Sequence, residues 1–184
     1  KVTQLKGGLP TSGFSRVLVE RSKNYPDVAF AAFARTSSSM HSVYKTSDGG
    51  TSWTQVTTPP NFYNFEWYCL TLGVHHEDTN YVVLAGQHPA FSEDGGKSWQ
   101  RLARSHADYH SNAFFKNSNE FLIGNDGGVH LYNKNNSGAN FTNLNNGYSV
   151  TQFYAGAFGP GDDDLVIGGT QDNGTHYTRY DSEE

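Results

Sequence analysis

The sequence predicts an all-β protein: about four four-stranded blades of a β-propeller, the last of them incomplete. Three observations carry this. A short turn pattern recurs four times along the 184 residues. Candidate strands keep step with the recurrences. The composition suits many short strands joined by tight turns.

The pattern is a small hydroxyl residue, Asp two positions on, Gly two after that, and an aromatic three further. Thr46, Asp48, Gly50 and Trp53 fit it, as do Ser92, Asp94, Gly96 and Trp99. Thr170, Asp172, Gly174 and Tyr177 fit with Tyr in the aromatic slot, and Gly124, Asp126, Gly128 and Leu131 form a degenerate copy. The aspartates stand 46, 32 and 46 residues apart (94−48, 126−94, 172−126). Periods in this range mark stacked units of about four strands. Approximate blades are 1–60, 61–104, 105–146 and 147–184.

Within the first unit, Ser15 to Glu20 and Val28 to Ala34 are β-branched or apolar runs separated by the turn sequence Asn24-Tyr25-Pro26-Asp27. Ser42 to Lys45 and Trp53 to Thr57 then flank the first Asp-Gly-Gly turn. The second unit repeats that order with Trp67 to Val74, Tyr81 to Gly86, Ala90 to Ser92 and Trp99 to Leu102. The third reads Asn112 to Phe115, Phe121 to Gly124, Val129 to Tyr132 and Phe141 to Leu144. The last has Gln152 to Phe158, Leu165 to Gly168 and Thr175 to Arg179. Each turn motif is expected between the third and fourth strands of its unit. There the Asp carboxylate accepts from N–H groups of its own hairpin, and Gly supplies the positive φ. Asp48, Asp94, Asp126 and Asp172 are therefore read as fasteners.

Aromatic residues make up 14%, with 11 Tyr and 12 Phe, and Gly is abundant at 20. The net charge is −5 and no Lys/Arg block occurs, which disfavours a nucleic-acid partner. The longest apolar run, Val28 to Ala34, is too short for a membrane span. A chain opening on Lys1 is compatible with a processed, mature product. Cys69 is the single cysteine, which excludes an internal disulfide framework and a Cys-based zinc site. Asn135, Asn140 and Asn173 head Asn-x-Ser/Thr sequons, candidate glycosylation sites.

These turn motifs resemble the Asp-box (bacterial neuraminidase) repeats of sialidases, sortilin-type receptors and xyloglucan-cleaving glycoside hydrolases. Other stretches resemble secreted bacterial repeat proteins related to the xyloglucanases. They are Gly8-Leu9-Pro10, Ser105-His106-Ala107-Asp108-Tyr109-His110, Ile123 to Val129, Leu144-Asn145-Asn146-Gly147, Thr151-Gln152-Phe153-Tyr154 and Gly168 to Thr175. The resemblance covers nearly the whole chain. It implies a propeller and an extracellular or cell-surface location, and it leaves activity open. Closed propellers generally have more than four blades, so the rest of a longer chain or other subunits would complete the ring.

Three constellations carry candidate chemistry. An extended His106-Ala107-Asp108-Tyr109-His110 would place His106, Asp108 and His110 on one face, where they would ligate a divalent metal. The alternative is that Asp108 accepts from a histidine and braces the third unit. Next, Asp108, Asp126 and Asp172 are candidates for the carboxyl pair of a glycosidase, although the turn motif favours a structural role for the last two. Last, the aromatic run Phe62 to Tyr68 offers Tyr63, Trp67 and Tyr68 as sugar-stacking faces, with Asn64 and Glu66 on hydroxyls. Packing between blades is the competing use. Gln171 and Asn173 add amide contacts beside the last turn.

No nucleophile triad, phosphate loop or dinucleotide fingerprint is present, and the arginines are scattered rather than clustered for a sialic acid carboxylate. The leading expectation is a secreted or cell-surface propeller segment that binds glycan or protein, or serves as a scaffold. Alternatives are a xyloglucanase-type glycoside hydrolase and a sortilin-like receptor domain.

Overall fold

The computed structural model describes residues 7–35, 40–60, 62, 65–116, 118–134, 141–148 and 151–179. The elements that build the sheets are fifteen strands among the described residues. The chain divides into two compact units, Lys1–Leu144 and Asn145–Glu184.

The first unit holds three antiparallel four-stranded sheets, each with its strands in sequence order. The first contains β1 (Arg16–Arg21), β2 (Ala29–Ala34), β3 (Met40–Thr46) and β4 (Thr54–Val56). The second contains β5 (Thr71–Val74), β6 (Val82–Ala85), β7 (Pro89–Ser92) and β8 (Gln100–Arg101). The third contains β9 (Tyr109–Phe114), β10 (Glu120–Asn125), β11 (Gly128–Asn133) and β12 (Phe141–Asn143). In the second unit β13 (Phe153–Gly159), β14 (Asp162–Thr170) and β15 (Thr175–Arg179) form a three-stranded sheet in that order.

Sheets one and two bury a shared core of Phe30, Ala32, Val43, Leu72, Val82 and Leu84. Sheets two and three bury another, with Tyr81, Val83, Phe91, Phe121, Ile123 and Tyr132. Strand β6 serves both: Val82 and Leu84 face one core, and Val83 and Ala85 face the other. A strand covered on both sides must read as a continuous apolar run, and Val82-Val83-Leu84-Ala85 does. The remaining face of sheet one is covered by Leu9 and Phe14 against Ala31, Phe33 and Trp53.

The turns at Asp48 and Asp94 join third to fourth strands, as expected, and share one hydrogen-bond pattern. The Asp48 carboxylate accepts from the Ser52 N–H at 3.0 Å, the Ser52 hydroxyl at 2.6 Å and the Thr46 hydroxyl at 2.7 Å. Asp94 accepts from the Ser98 N–H at 2.8 Å, the Ser98 hydroxyl at 2.5 Å and the Ser92 hydroxyl at 2.8 Å. Gly50 and Gly96 take φ of 90° and 87°, and their N–H groups donate to the Thr46 and Ser92 hydroxyls at 3.0 and 2.8 Å. The second turn also clasps the neighbouring sheet. Thr57 N–H donates to the Gly96 carbonyl at 3.0 Å, and the Trp99 indole donates to the Thr57 carbonyl at 2.9 Å.

The other two motif copies correct the expectation. Asp126 lies between β10 and β11, and Asp172 between β14 and β15, so both turns join second to third strands. In an antiparallel sheet that is the opposite end from a third-to-fourth turn. The loop N–H at Gly127 goes to Asn125 Oδ1 at 3.0 Å, while Asp126 accepts from His110 at 2.9 Å. Asp172 accepts from the Gln171 side-chain amide and has φ 54°. The turns at Asp126 and Asp172 thus occupy the other end of their sheets from those at Asp48 and Asp94. Gly128, the first residue of β11, and Gly174 do take the positive φ expected of them, 106° and 81°, while Tyr177 is 78% exposed.

Hydrogen bonds hold the Asp48 and Asp94 carboxyls down to about pKa 2. A lowered folded-state pKa gives stability that is present above the unfolded value and lost as pH falls through the folded one. Thermal unfolding should therefore show melting temperature falling between about pH 4 and pH 2, and an Asp48→Asn, Asp94→Asn double variant should flatten that limb. In the core, Phe121 is fully buried and stacks on Tyr132 at 5.5 Å. Phe121→Ala should cost about 3–5 kcal/mol, read by denaturant unfolding.

Candidate functional site

Second-to-third turns and the connections between sheets meet at one end of the first unit, away from the Asp48 and Asp94 turns. Four segments contribute: Phe65–Leu70, Gly86–His88, Ala103–His110 and Asn125–Gly127. Phe65–Leu70 is mainly aromatic and apolar, the other three are polar and turn-rich, and hydrogen bonds tie the segments together. Arg16 of β1 donates to the carbonyls of Tyr68 and, at 3.2 Å, Leu70. Asn125 Nδ2 donates to Ser105 Oγ at 2.8 Å, and the Tyr109 hydroxyl accepts from the Ser105 N–H at 3.1 Å. Cys69 donates its thiol to Asp108 Oδ1 at 3.4 Å.

The aromatic pair sits on the rim. Trp67 is 46% and Tyr68 56% exposed, their rings 5.8 Å apart. The Tyr68 ring meets His110 edge-on at 5.3 Å, and His110 Nε2 lies 2.9 Å from Asp126 Oδ1. Oxygens of Asp108 and Asp126 come within 4.8 Å of each other. Stacking faces and convergent carboxylates thus share one surface. Beside it a groove of about 460 Å³ runs along β1, β5 and β9, with Arg16, Thr71, His76, His110 and Asn112 among its walls.

The linear metal set is corrected. Asp108 takes φ 60°, so the backbone is not extended there and the alternation that would align His106, Asp108 and His110 is broken. Strand β9 begins only at Tyr109. His110 turns to Asp126, and the His106 ring packs where a Cβ on Gly127 would lie. Among the described residues of the first unit, no three His, Cys, Asp or Glu side chains bring ligand atoms within 4.8 Å of one another.

Of the other predicted residues, Tyr63 and Asn64 lie outside the described residues, as do the sequons at Asn135 and Asn140. Glu66 is not a surface contact: it is fully buried, and among the described residues only the nearby Phe65 and Glu66 N–H groups offset the burial of its carboxylate. Gln171 and Asn173 belong to the second unit, where Asn173 Nδ2 donates to the Gln171 carbonyl at 2.9 Å.

Sequence reasoning missed the pairing of His110 with Asp126 and the burial of Glu66. The 32-residue interval among the aspartates was a signal for the first, since it breaks the 46-residue step where the motif changes ends. For Glu66 no sequence signal existed.

Electrostatics separate this end from the other. Burial raises the pKa of Glu66, and burial with the bond to Asp108 raises that of the Cys69 thiol, so the thiol stays protonated. Burial lowers His88, with Arg104 and Arg101 adding to it, and lowers His130, with His106 adding to it.

The sequence matches no family model and no curated protein sequence. Solved structures do match. An ancestral GH74 enzyme aligns with TM-score 0.53 and 17% identity, over 94% of this chain and 25% of that one. The GH74 enzyme of Niastella koreensis aligns with TM-score 0.52 and 19% identity, over 87% and 22%. YCF48 from Cyanidioschyzon merolae aligns with TM-score 0.50 and 16% identity, over 96% and 59%. At such identities the likeness establishes the fold alone, an all-β propeller architecture. This chain spans about a quarter of the GH74 enzymes' length.

A raised folded-state pKa, as at Glu66, gives stability that is full below the unfolded value and lost as pH rises through the folded one. Glu66→Leu removes a buried carboxyl whose charged form burial disfavours and should raise the melting temperature, more at pH 8 than at pH 4. Equal melting of both proteins at both pH values would contradict this account of Glu66.

Proposed function

We propose that this chain is a segment of a secreted or cell-surface Asp-box propeller that binds carbohydrate. Its blades are taken as approximately 1–60, 61–104, 105–146 and 147–184, and the binding surface is the end carrying Trp67, Tyr68, Asp108 and Asp126. The observation that carries the reading is the exposed Trp67–Tyr68 pair beside two convergent carboxylates. Aromatic faces stack on the C–H faces of sugar rings, while carboxylates and a histidine bond the hydroxyls. The Asp48 and Asp94 turns, by contrast, spend their carboxylates on their own loops and stay with the scaffold. The Asp-box resemblance and the likeness to GH74 enzymes are consistent with a carbohydrate ligand, and they rank below the geometry as support.

Glycoside hydrolysis is the second reading, favoured by the Asp108–Asp126 approach, since retaining glycosidases hold two carboxyl groups about 5 Å apart. Against it, Asp126 is engaged by His110 and Asp108 by a thiol. A glycan array on the intact protein, paired with a reducing-sugar assay on β-glucans, separates the two. Binding without turnover is expected, weakened about tenfold or more by Trp67→Ala. Undiminished binding by a Trp67→Ala, Tyr68→Ala variant overturns the site. Turnover that disappears in Asp108→Asn replaces binding with hydrolysis, and a protein ligand captured in place of any glycan supports the receptor reading instead.

A further inference from the structure

The Leu144-Asn145-Asn146-Gly147 segment, singled out in the sequence, is not among those that carry Trp67, Tyr68, Asp108 and Asp126. Its chemistry lies in the Asn-Gly pair. Asparagine before glycine loses its amide without an enzyme when the glycine backbone nitrogen attacks the side-chain carbonyl carbon. Glycine has no Cβ to obstruct that approach and rotates freely into it. Aspartate before glycine closes the same ring more slowly. The chain holds Asn146-Gly147 and Asn173-Gly174 of the first kind, and Asp48-Gly49, Asp94-Gly95 and Asp126-Gly127 of the second. Attack requires a glycine N–H that is not hydrogen-bonded, a side chain free to turn, and a peptide free to swing.

The fold restrains every one of these pairs except one. Gly49 N–H donates to the Asp27 carbonyl, Gly95 N–H to the Asn80 carbonyl and Gly127 N–H to Asn125 Oδ1, each at 3.0 Å. The Asp48 and Asp94 carboxylates are themselves held by Ser52 and Ser98. Asn173 is restrained at its side chain, where Nδ2 donates to the Gln171 carbonyl at 2.9 Å.

Asn146 differs on every count. Both it and Gly147 are exposed, Gly147 takes φ 76°, and a Cβ on Gly147 would meet nothing within 4 Å. Among the described residues neither the Asn146 side chain nor the Gly147 N–H has a hydrogen-bond partner. The turn is closed outside the pair, by the Tyr148 N–H donating to the Asn145 carbonyl at 2.9 Å. The peptide between Asn146 and Gly147 is thus the one that can rotate into the attack geometry.

We propose that Asn146 is a site of spontaneous deamidation, by which this turn modifies itself as the protein ages. The Gly147 nitrogen forms a bond to Asn146 Cγ and gives up its proton to solvent, and the amide leaves as ammonia, leaving a cyclic imide. Water then opens the ring at either carbonyl, giving Asp or iso-Asp. The net change is one water consumed and one ammonia released, with no oxidation or reduction. The new carboxyl is ionised at neutral pH. In the iso-linked product a side-chain methylene enters the main chain, so the bond from Tyr148 to Asn145 must close a longer loop. This site does not rest on the carbohydrate reading.

Peptide mapping by mass spectrometry tests it, on the intact chain incubated at a series of neutral to mildly alkaline pH values. The expected result is conversion at Asn146 that quickens with pH, yields more iso-Asp than Asp, and runs several-fold ahead of Asn173. In guanidinium, where the fold no longer restrains Asn173, the two rates should converge. Asn146→Gln, whose longer side chain closes the ring poorly, should leave that peptide without an iso-linked residue. Asn173 keeping pace with Asn146 in the folded protein, or Asn146 staying intact while Asn173 converts, overturns the assignment. So does a lead of Asn146 over Asn173 that persists undiminished in guanidinium.

Discussion

Face-to-face packing of sheets is the constraint on which everything else in the first unit depends. Strand β6 buries every side chain, alternately into two different cores. Because side chains alternate with a period of two, a one-residue slip of β6 would exchange the contents of both cores. The bulky partners differ: Phe30 and Leu72 on one side, Tyr81, Phe121 and Tyr132 on the other. Val82 and Leu84 cannot simply trade places with Val83 and Ala85 without leaving voids or clashes. Register in the middle sheet therefore fixes where its neighbours sit.

That stacking gives the unit two unlike ends. At one end, Asp48 and Asp94 close their own hairpins, and the second turn also grips sheet one through Thr57 and Trp99. Carboxylates committed in this way are poor ligands. At the other end Asp126 bonds a histidine from another strand, and Asp108 holds a left-handed backbone conformation unusual for a residue with a Cβ. Buried Glu66 lies beneath the turn that presents Trp67 and Tyr68. Carboxylates at the first end are held by their own hairpins, and those at the second by side chains distant in sequence.

The repeat made the sheets legible in the sequence. Turn residues and β-branched runs recur with a step close to one sheet, and periodicity of that kind survives wide sequence divergence. What the motif could not reveal was which turn it occupies. Asp-Gly serves any tight reversal, so Asp126-Gly127-Gly128 reads like Asp48-Gly49-Gly50 although it sits at the opposite end. Only the partners tell them apart, and those come from residues distant in sequence, such as His110 for Asp126. The linear His106-Ala107-Asp108-Tyr109-His110 set failed for a related reason. Alternation assumes extended backbone, and a single left-handed residue at Asp108 undoes it.

The Trp99 clasp has an optical consequence. Its indole N–H is committed to a carbonyl on the neighbouring sheet, Trp53 is buried, and Trp67 is half in water. Three emitters thus occupy three distinct dielectric settings. Separation of sheets one and two would release the Trp99 indole to solvent while the Trp53 pocket stayed intact. Intrinsic fluorescence can therefore resolve an early parting of the layers from the later melting of the layers themselves.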